Sequence, residues 1–200
     1  MPSHHLKYKL NTEPFFYLEI EGLWTKDELD LLRDEMLELQ DSGQLLPDFA
    51  DITHAGNKVG EGGFVHELFE NPNDSKMHTV GFKLWNALVN NIQPRLGCWF
   101  FNKDDYKLST LLNYYDHGDH YGAHVDEGHA TGISWFWKGP KKFTGGELVF
   151  TDYNITVPMK ENYSVIFPAC IKHEVLPLHI EDVEYRNKGY GRFALTQFAI

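Results

Sequence analysis

The sequence predicts an α+β fold, with helices packed on one face of a mostly antiparallel sheet. Three observations predict it. A length of 200 residues fits one domain. Helical periodicity is concentrated before about residue 100, and from Leu108 onward short β-rich runs alternate with Gly, Asp, Asn and Pro. Many short strands with turn signals between them read as a sandwich or barrel, not as βαβ units. Residues 1–105 therefore read as a helical support region with outer strands, and residues 106–200 as the core of a single domain.

The elements follow in order. Thr25 to Glu28 is a capping box, which satisfies two orphan amide donors at a helix start. Leu29, Leu32, Met36 and Leu39 then fall on one helical face, and Ser42-Gly43 closes the helix. A second helix is expected from Ser75, with Val80, Leu84, Leu88 and Ile92 in helical period and Pro94 at its end. Strands are expected over Leu108–Tyr115, Ala130–Lys138, Glu147–Thr151, Ile155–Val157, Ser164–Phe167, Glu174–Leu178 and Arg192–Ala199.

Composition excludes several classes of function. Lys and Arg number 18 against 29 Asp and Glu, a formal charge of −11, which argues against a general nucleic-acid binder. Hydrophobic residues make up 42% and aromatic residues 14%, too many for a disordered chain. Two cysteines cannot build a disulfide framework, so a reducing compartment is expected. The first residues carry no apolar signal region, and no stretch approaches the length of a membrane span. The expectation is a cytoplasmic protein with no membrane partner.

Eleven histidines against two cysteines point to imidazole as the ligand of any metal. Two His-x-Asp triplets are present, His117-Gly-Asp119 and His124-Val-Asp126. A chain this rich in both residues carries such triplets by chance, so local structure must separate them. Alternate residues of a strand share a face, and Val125 favours a strand whereas Gly118 favours a turn. His124 and Asp126 are the better pair. His173 opens a β-rich run and supplies a third ligand. Two imidazoles and one carboxylate make a facial triad with open positions, the set expected of non-haem Fe(II) oxygenases.

The stretch Tyr115-Asp-His-Gly-Asp-His-Tyr121-Gly-Ala-His124-Val-Asp126 resembles the start of the iron site in 2-oxoglutarate/Fe(II)-dependent dioxygenases of the prolyl 4-hydroxylase type. Gly145-Gly-Glu-Leu148, His173-Glu-Val-Leu-Pro177 and Gly191-Arg192-Phe-Ala-Leu-Thr196 resemble the later segments of that family, in the same order. The resemblance implies a double-stranded β-helix, or jelly roll, with the N-terminal helices on the major sheet. It implies Fe(II) held by His124, Asp126 and His173, with 2-oxoglutarate as cosubstrate and Arg192 pairing with its distal carboxylate. It further implies O2 as oxidant, ascorbate as a candidate reductant, and release of succinate and CO2. The substrate implied is a prolyl residue in a peptide or protein. A free amino acid or other small metabolite is the alternative.

Tyr121 matches a family tyrosine that reaches the cosubstrate, and Thr196 shares a strand face with Arg192. Many relatives add a tyrosine from the strand after the His-x-Asp loop. Phe136 aligns there, which leaves Ser134 as the expected replacement donor. Arg186, in the insert between His173 and Arg192, is a rival for the Arg192 role. Tyr114, Tyr115, Trp135 and Trp137 flank the expected site, and Ala50–Gly63 reads as a mobile loop suited to a lid.

Overall fold

The structure, a computed structural model, describes residues 6–47, 57–86 and 107–200. Strands β1 (Lys7–Asn11) and β2 (Tyr17–Glu21) precede helix α1 (Lys26–Asp41). Next come β3 (Leu46–Pro47), β4 (Lys58–Val59), β5 (Glu61–Phe64) and two single-turn helices, α2 (Val65–Leu68) and α3 (Lys76–Thr79). The strands β6 (Leu108–Tyr115), β7 (His120–His124), β8 (Ala130–Phe136), β9 (Phe143–Gly145) and β10 (Leu148–Phe150) follow. The remainder are β11 (Ile155–Thr156), β12 (Tyr163–Pro168), β13 (His173–Val175), β14 (Leu178–Ile180) and β15 (Arg192–Ala199). Among the described residues they form an eight-stranded sheet in the order β1-β2-β12-β8-β15-β6-β5-β3, a five-stranded sheet in the order β11-β10-β13-β7-β4, and a β14–β9 pair. Neighbouring strands run antiparallel. No helix of the described residues is long and apolar enough to cross a membrane.

Period-two alternation sorts the large sheet into two faces. Leu112, Tyr114, Phe136, Phe193 and Leu195 point into one buried cluster, which also holds Leu32, Met36 and Leu39 of α1. Tyr115, Ile133, Trp135 and Ala194 point the other way, into a second cluster with Leu148, Phe150 and Val175 of the five-stranded sheet. The second cluster lies between the two sheets, and the site is built there.

The capping box of α1 forms as expected: Thr25 Oγ1 accepts from the Glu28 amide, and the Glu28 carboxylate accepts from the Thr25 amide. The second expected helix is interrupted. Ser75 caps α3, which ends at Thr79, and the helix resumes over residues 83–86. Gly81 sits at the break, where a Cβ would lie 2.0 Å from the Met77 carbonyl oxygen. Leu88, Ile92 and Pro94 lie outside the described residues. The bounds of β6 and β15 match the expected strands, whereas the single strand expected over Glu174–Leu178 is two, β13 and β14, interrupted at Leu176 and Pro177. Proline has no amide hydrogen to donate to a ladder.

Asn162 ties the start of α1 to the large sheet. Its backbone is left-handed, with φ of 56°. Its Oδ1 accepts from the Trp24 amide at 2.9 Å, and its Nδ2 donates to the Trp24 carbonyl at 2.7 Å. Asn162→Gly keeps the backbone but removes both bonds, with an expected loss of about 2 kcal/mol. Asn162→Ala adds left-handed strain of about 1 kcal/mol. Urea unfolding midpoints, read at unchanged m-value, test both figures.

Candidate active site

Strand pairing brings the three expected ligands together. On the β13–β7 ladder His173 stands directly opposite His124, although 48 residues separate them in the chain. The ladder ends at His124, so Asp126 lies just past the strand end. Its amide donates to the Ala169 carbonyl at 3.0 Å, which holds the turn in place. Asp126 Oδ1 then lies 3.5 Å from His124 Nε2, and Asp126 Oδ2 lies 3.5 Å from His173 Nε2. One donor atom from each residue falls within 4.8 Å of the others.

The hydrogen bonds around these side chains fix which nitrogens face the centre. His124 Nδ1 bonds the Gly122 carbonyl at 2.8 Å, and His173 Nδ1 bonds the Ile171 carbonyl at 2.9 Å. A carbonyl only accepts, so each Nδ1 carries the proton and each Nε2 presents a lone pair inward. Burial lowers the pKa of His173, favouring that neutral form. Burial pushes the Asp126 carboxyl up, but the two neighbouring imidazoles and the hydrogen bond donated by Thr131 outweigh it and hold the group below its usual value. Thr131 Oγ1 donates to Asp126 Oδ2 at 2.6 Å. Two lone pairs and a carboxylate converging on one point repel unless a cation sits among them, so the donor set fits a divalent metal.

The triad borders a cavity of about 140 Å³ between the two sheets. Its rim includes the exposed side chains of Val125 and Ile200. Its buried end holds Arg192, only 1% exposed. Arg192 Nη1 donates to the Gly146 carbonyl at 2.5 Å, and the guanidinium lies over the Tyr115 ring at 4.4 Å. Gly145 and Gly146 have successive φ values of 70° and 75°, and a Cβ at Gly145 would meet the Pro177 oxygen at 2.2 Å. The glycine pair is thus needed to aim that carbonyl at Arg192. Burial pulls the arginine down to about 10, so it stays cationic at neutral pH.

Tyr121 lines the cavity and stacks on His124, with centroids 3.7 Å apart. Thr196 lines it as well, and its Oγ1 accepts from Asn113 Nδ2 at 3.3 Å. Ser134 does not line it. Its neighbours Ile133 and Trp135 face the cavity, so Ser134 faces away, where its hydroxyl is paired with Ser164 at 2.7 Å. Phe136 also faces away, among the residues beneath α1. The residue that β8 presents to the cavity in this stretch is Trp135, one position from both expected candidates. Arg186 is bound elsewhere, donating to the Ile180 and Glu181 carbonyls. His117 sits in a turn, with its Nδ1 accepting from the Ile180 amide.

Tyr115 joins Trp135 in the cavity wall, whereas Tyr114 donates to Asp116 on the other face of the sheet. Trp137 packs edge-on against Phe143. The expected loop Ala50–Gly63 is partly strand: β4 and the start of β5 occupy its described end, and residues 50–56 lie outside the described residues. That misreading concealed Lys58. This side chain is buried in the cavity wall and donates to Asn113 Oδ1 at 2.6 Å.

Several solved prolyl hydroxylases share this fold. A prolyl-4-hydroxylase from Pseudomonas putida aligns with a TM-score of 0.66 at 17% identity, over 92% of this chain and 91% of that one. A prolyl hydroxylase from Trichoplax adhaerens, in complex with a peptide fragment of a hypoxia-inducible-factor degradation domain, gives 0.64 at 14% identity, over 92% and 83%. The viral collagen prolyl hydroxylase of Paramecium bursaria Chlorella virus-1, as its 2-oxoglutarate complex, gives 0.56 at 15% identity, over 91% and 96%. At these identities the likeness is one of fold. No family model and no curated protein sequence matches the chain.

Thr131 orients Asp126 by donating to its carboxylate. Thr131→Val is expected to weaken divalent-metal binding about 10- to 100-fold, and His173→Ala to abolish it. Competition against a chromogenic chelator measures both.

Proposed function

We propose that this chain is a 2-oxoglutarate- and Fe(II)-dependent dioxygenase, a double-stranded β-helix enzyme that hydroxylates prolyl residues of a peptide or protein. The observation that carries the proposal is the convergence of two imidazole lone pairs and one carboxylate beside a cavity whose buried end holds a cationic arginine. Two histidines and one carboxylate leave coordination positions open, the ligand set of non-haem Fe(II) oxygenases. In this reading His124, Asp126 and His173 hold Fe(II), and Arg192 receives the distal carboxylate of 2-oxoglutarate. The oxidising chemistry is that of Fe(II) with 2-oxoglutarate and O2, which leaves succinate and CO2.

The chain contributes ligation, orientation and exclusion of water. The Gly122 and Ile171 carbonyls keep both imidazoles in the ligating tautomer. Arg192 offers a planar fork matched to a carboxylate. Tyr121 and Thr196 flank the space between triad and arginine, and Leu111 and Phe198 give it an apolar border. That border suits a ring such as proline. The solved relative holding a peptide fragment supports a peptide substrate.

Lys58 favours a second reading, hydroxylation of a free amino acid or other small acid. An ammonium in the cavity wall suits a substrate carboxylate. Incubation with Fe(II), 2-oxoglutarate, ascorbate and a proline-rich peptide library separates the two. Gain of one oxygen atom on proline, with succinate formed, supports the first. Succinate formed only with small acids supports the second. No succinate with any substrate, and no absorbance band on anaerobic addition of Fe(II) and 2-oxoglutarate, rejects both. Arg192→Met is expected to lose about 2–5 kcal/mol of 2-oxoglutarate binding while retaining metal, as measured by anaerobic titration.

A further inference from the structure

The buried end of the cavity carries two donors that the protein leaves without partners. Arg192 Nε and Trp135 Nε1 are both shielded from solvent and make no hydrogen bond. Both side chains line the cavity and both residues are 1% exposed. They are neighbours across the β15–β8 ladder. Ala194 stands opposite Trp135, and Arg192 lies two residues along on the same face. At that diagonal spacing a long side chain and an aromatic ring reach each other.

Neighbours hold each side chain in place. Arg192 is held by the Gly146 carbonyl and the Tyr115 ring. Trp135 stacks on Tyr163, with centroids 6.3 Å apart and planes at 23°. Buried polar groups nearly always find a partner, so two orphaned donors on adjoining strands of one cavity wall mark the position of a ligand acceptor. Guanidinium and indole N–H groups share one property that a hydroxyl lacks: they donate and never accept.

We infer that Trp135 Nε1 and Arg192 together form an all-donor subsite for the distal carboxylate of the cosubstrate, and that this subsite selects an ionised carboxylate over the corresponding amide. The inference rests on the 2-oxoglutarate reading above. A carboxylate has lone pairs for both donors. The terminal amide of the same oxo acid has one uncharged acceptor oxygen in place of two charged ones, so both donors must share it or one of them meets the NH2 group. A hydroxyl in the place of the indole can rotate and accept from that amide, so the tryptophan makes the discrimination strict.

The test uses the full chain loaded with Zn(II), a diamagnetic stand-in for iron. The five tryptophans give five indole N–H resonances in a nitrogen-15 correlation spectrum. Trp135→Phe assigns the relevant one, or elimination with the other four Trp→Phe variants does so if that variant fails to fold. On addition of 2-oxoglutarate the Trp135 indole proton is expected to move downfield. Pyruvate, which keeps the metal-chelating end but lacks the distal carboxylate, is expected to leave it in place. By calorimetry, Trp135→Phe is expected to weaken 2-oxoglutarate binding about 10- to 100-fold, the range for a hydrogen bond to a charged group. Metal content and pyruvate affinity stay unchanged. Trp24→Phe is the control, because its Nε1 is also buried without a partner but belongs to the cluster beneath α1. The wild-type chain is expected to bind the 5-amide of 2-oxoglutarate at least 100-fold more weakly than the acid.

A stationary Trp135 signal while other signals respond to 2-oxoglutarate overturns the inference and leaves the 2-oxoglutarate reading standing. Equal affinity of wild type and Trp135→Phe does the same, as does equal binding of acid and amide. Failure of the metal-loaded wild type to bind either 2-oxoglutarate or pyruvate overturns both.

Discussion

The antiparallel register of β13 on β7 is the constraint on which the site depends. It sets His173 opposite His124, and the end of β7 at His124 lets Asp126, two residues later, turn back between the two rings. A slip of one residue would send each imidazole to the opposite face of its sheet. Several contacts hold the register: Tyr121 stacks under His124, Phe167 meets His173 edge-on, and two backbone carbonyls grip the Nδ1 atoms. These contacts come from β7, β12, β13 and the turn before it, so the donor geometry is a property of the assembled sheets and not of one loop.

Much of this was readable from residue pattern, and the misses have physical causes. β6 and β15 are long and rich in β-formers, so their bounds could be placed to the residue. The capping box of α1 is a local interaction and was visible as such. The triad needed a long-range pairing, and the strand expected through Val125 stops at His124, so Asp126 is placed by its amide bond to the Ala169 carbonyl and not by strand alternation. The error on β8 was one of parity. Ser134 and Phe136 share a face, and the sequence does not say which; pairing of Trp135 with Ala194, beside Arg192, decides it. Lys58 was missed for a different reason. Three glycines in seven residues suggested a loop, whereas Gly62 and Gly63 lie within β5 against β6. At Gly62 a Cβ would come within 2.9 Å of the Leu112 carbonyl oxygen, so the absence of a side chain permits the strand.

The acidity of the chain takes on local meaning at the cavity. With a net charge of −11, the two cations in its wall, Lys58 and Arg192, run against the sign of the protein as a whole. A guanidinium in a buried, carbonyl-lined setting attracts an anion without competition from bulk water. A nearby negative total repels anions at long range, but salt screens that repulsion beyond about 10 Å. Selectivity for a carboxylate ligand is therefore local, set by which donors face inward at the buried end.

The order of strands in the large sheet also bears on how the protein comes to fold. β2 pairs with β12, β8 with β12 and β15, and β6 with β5 and β15. Partners in the middle of the sheet are separated by tens to more than a hundred residues. Loop closure must precede the reward of such contacts, which places folding among the slow topologies, on the order of milliseconds to seconds or longer. The hairpin of β1 and β2 and the sixteen-residue helix α1 can form early on local contacts. The cavity wall cannot, because β15 supplies Arg192, Ala194 and Thr196 only once it is threaded between β8 and β6. Completion of the cavity wall is thereby a late event in folding, one that reports the β-sheet pairing and not the appearance of secondary structure.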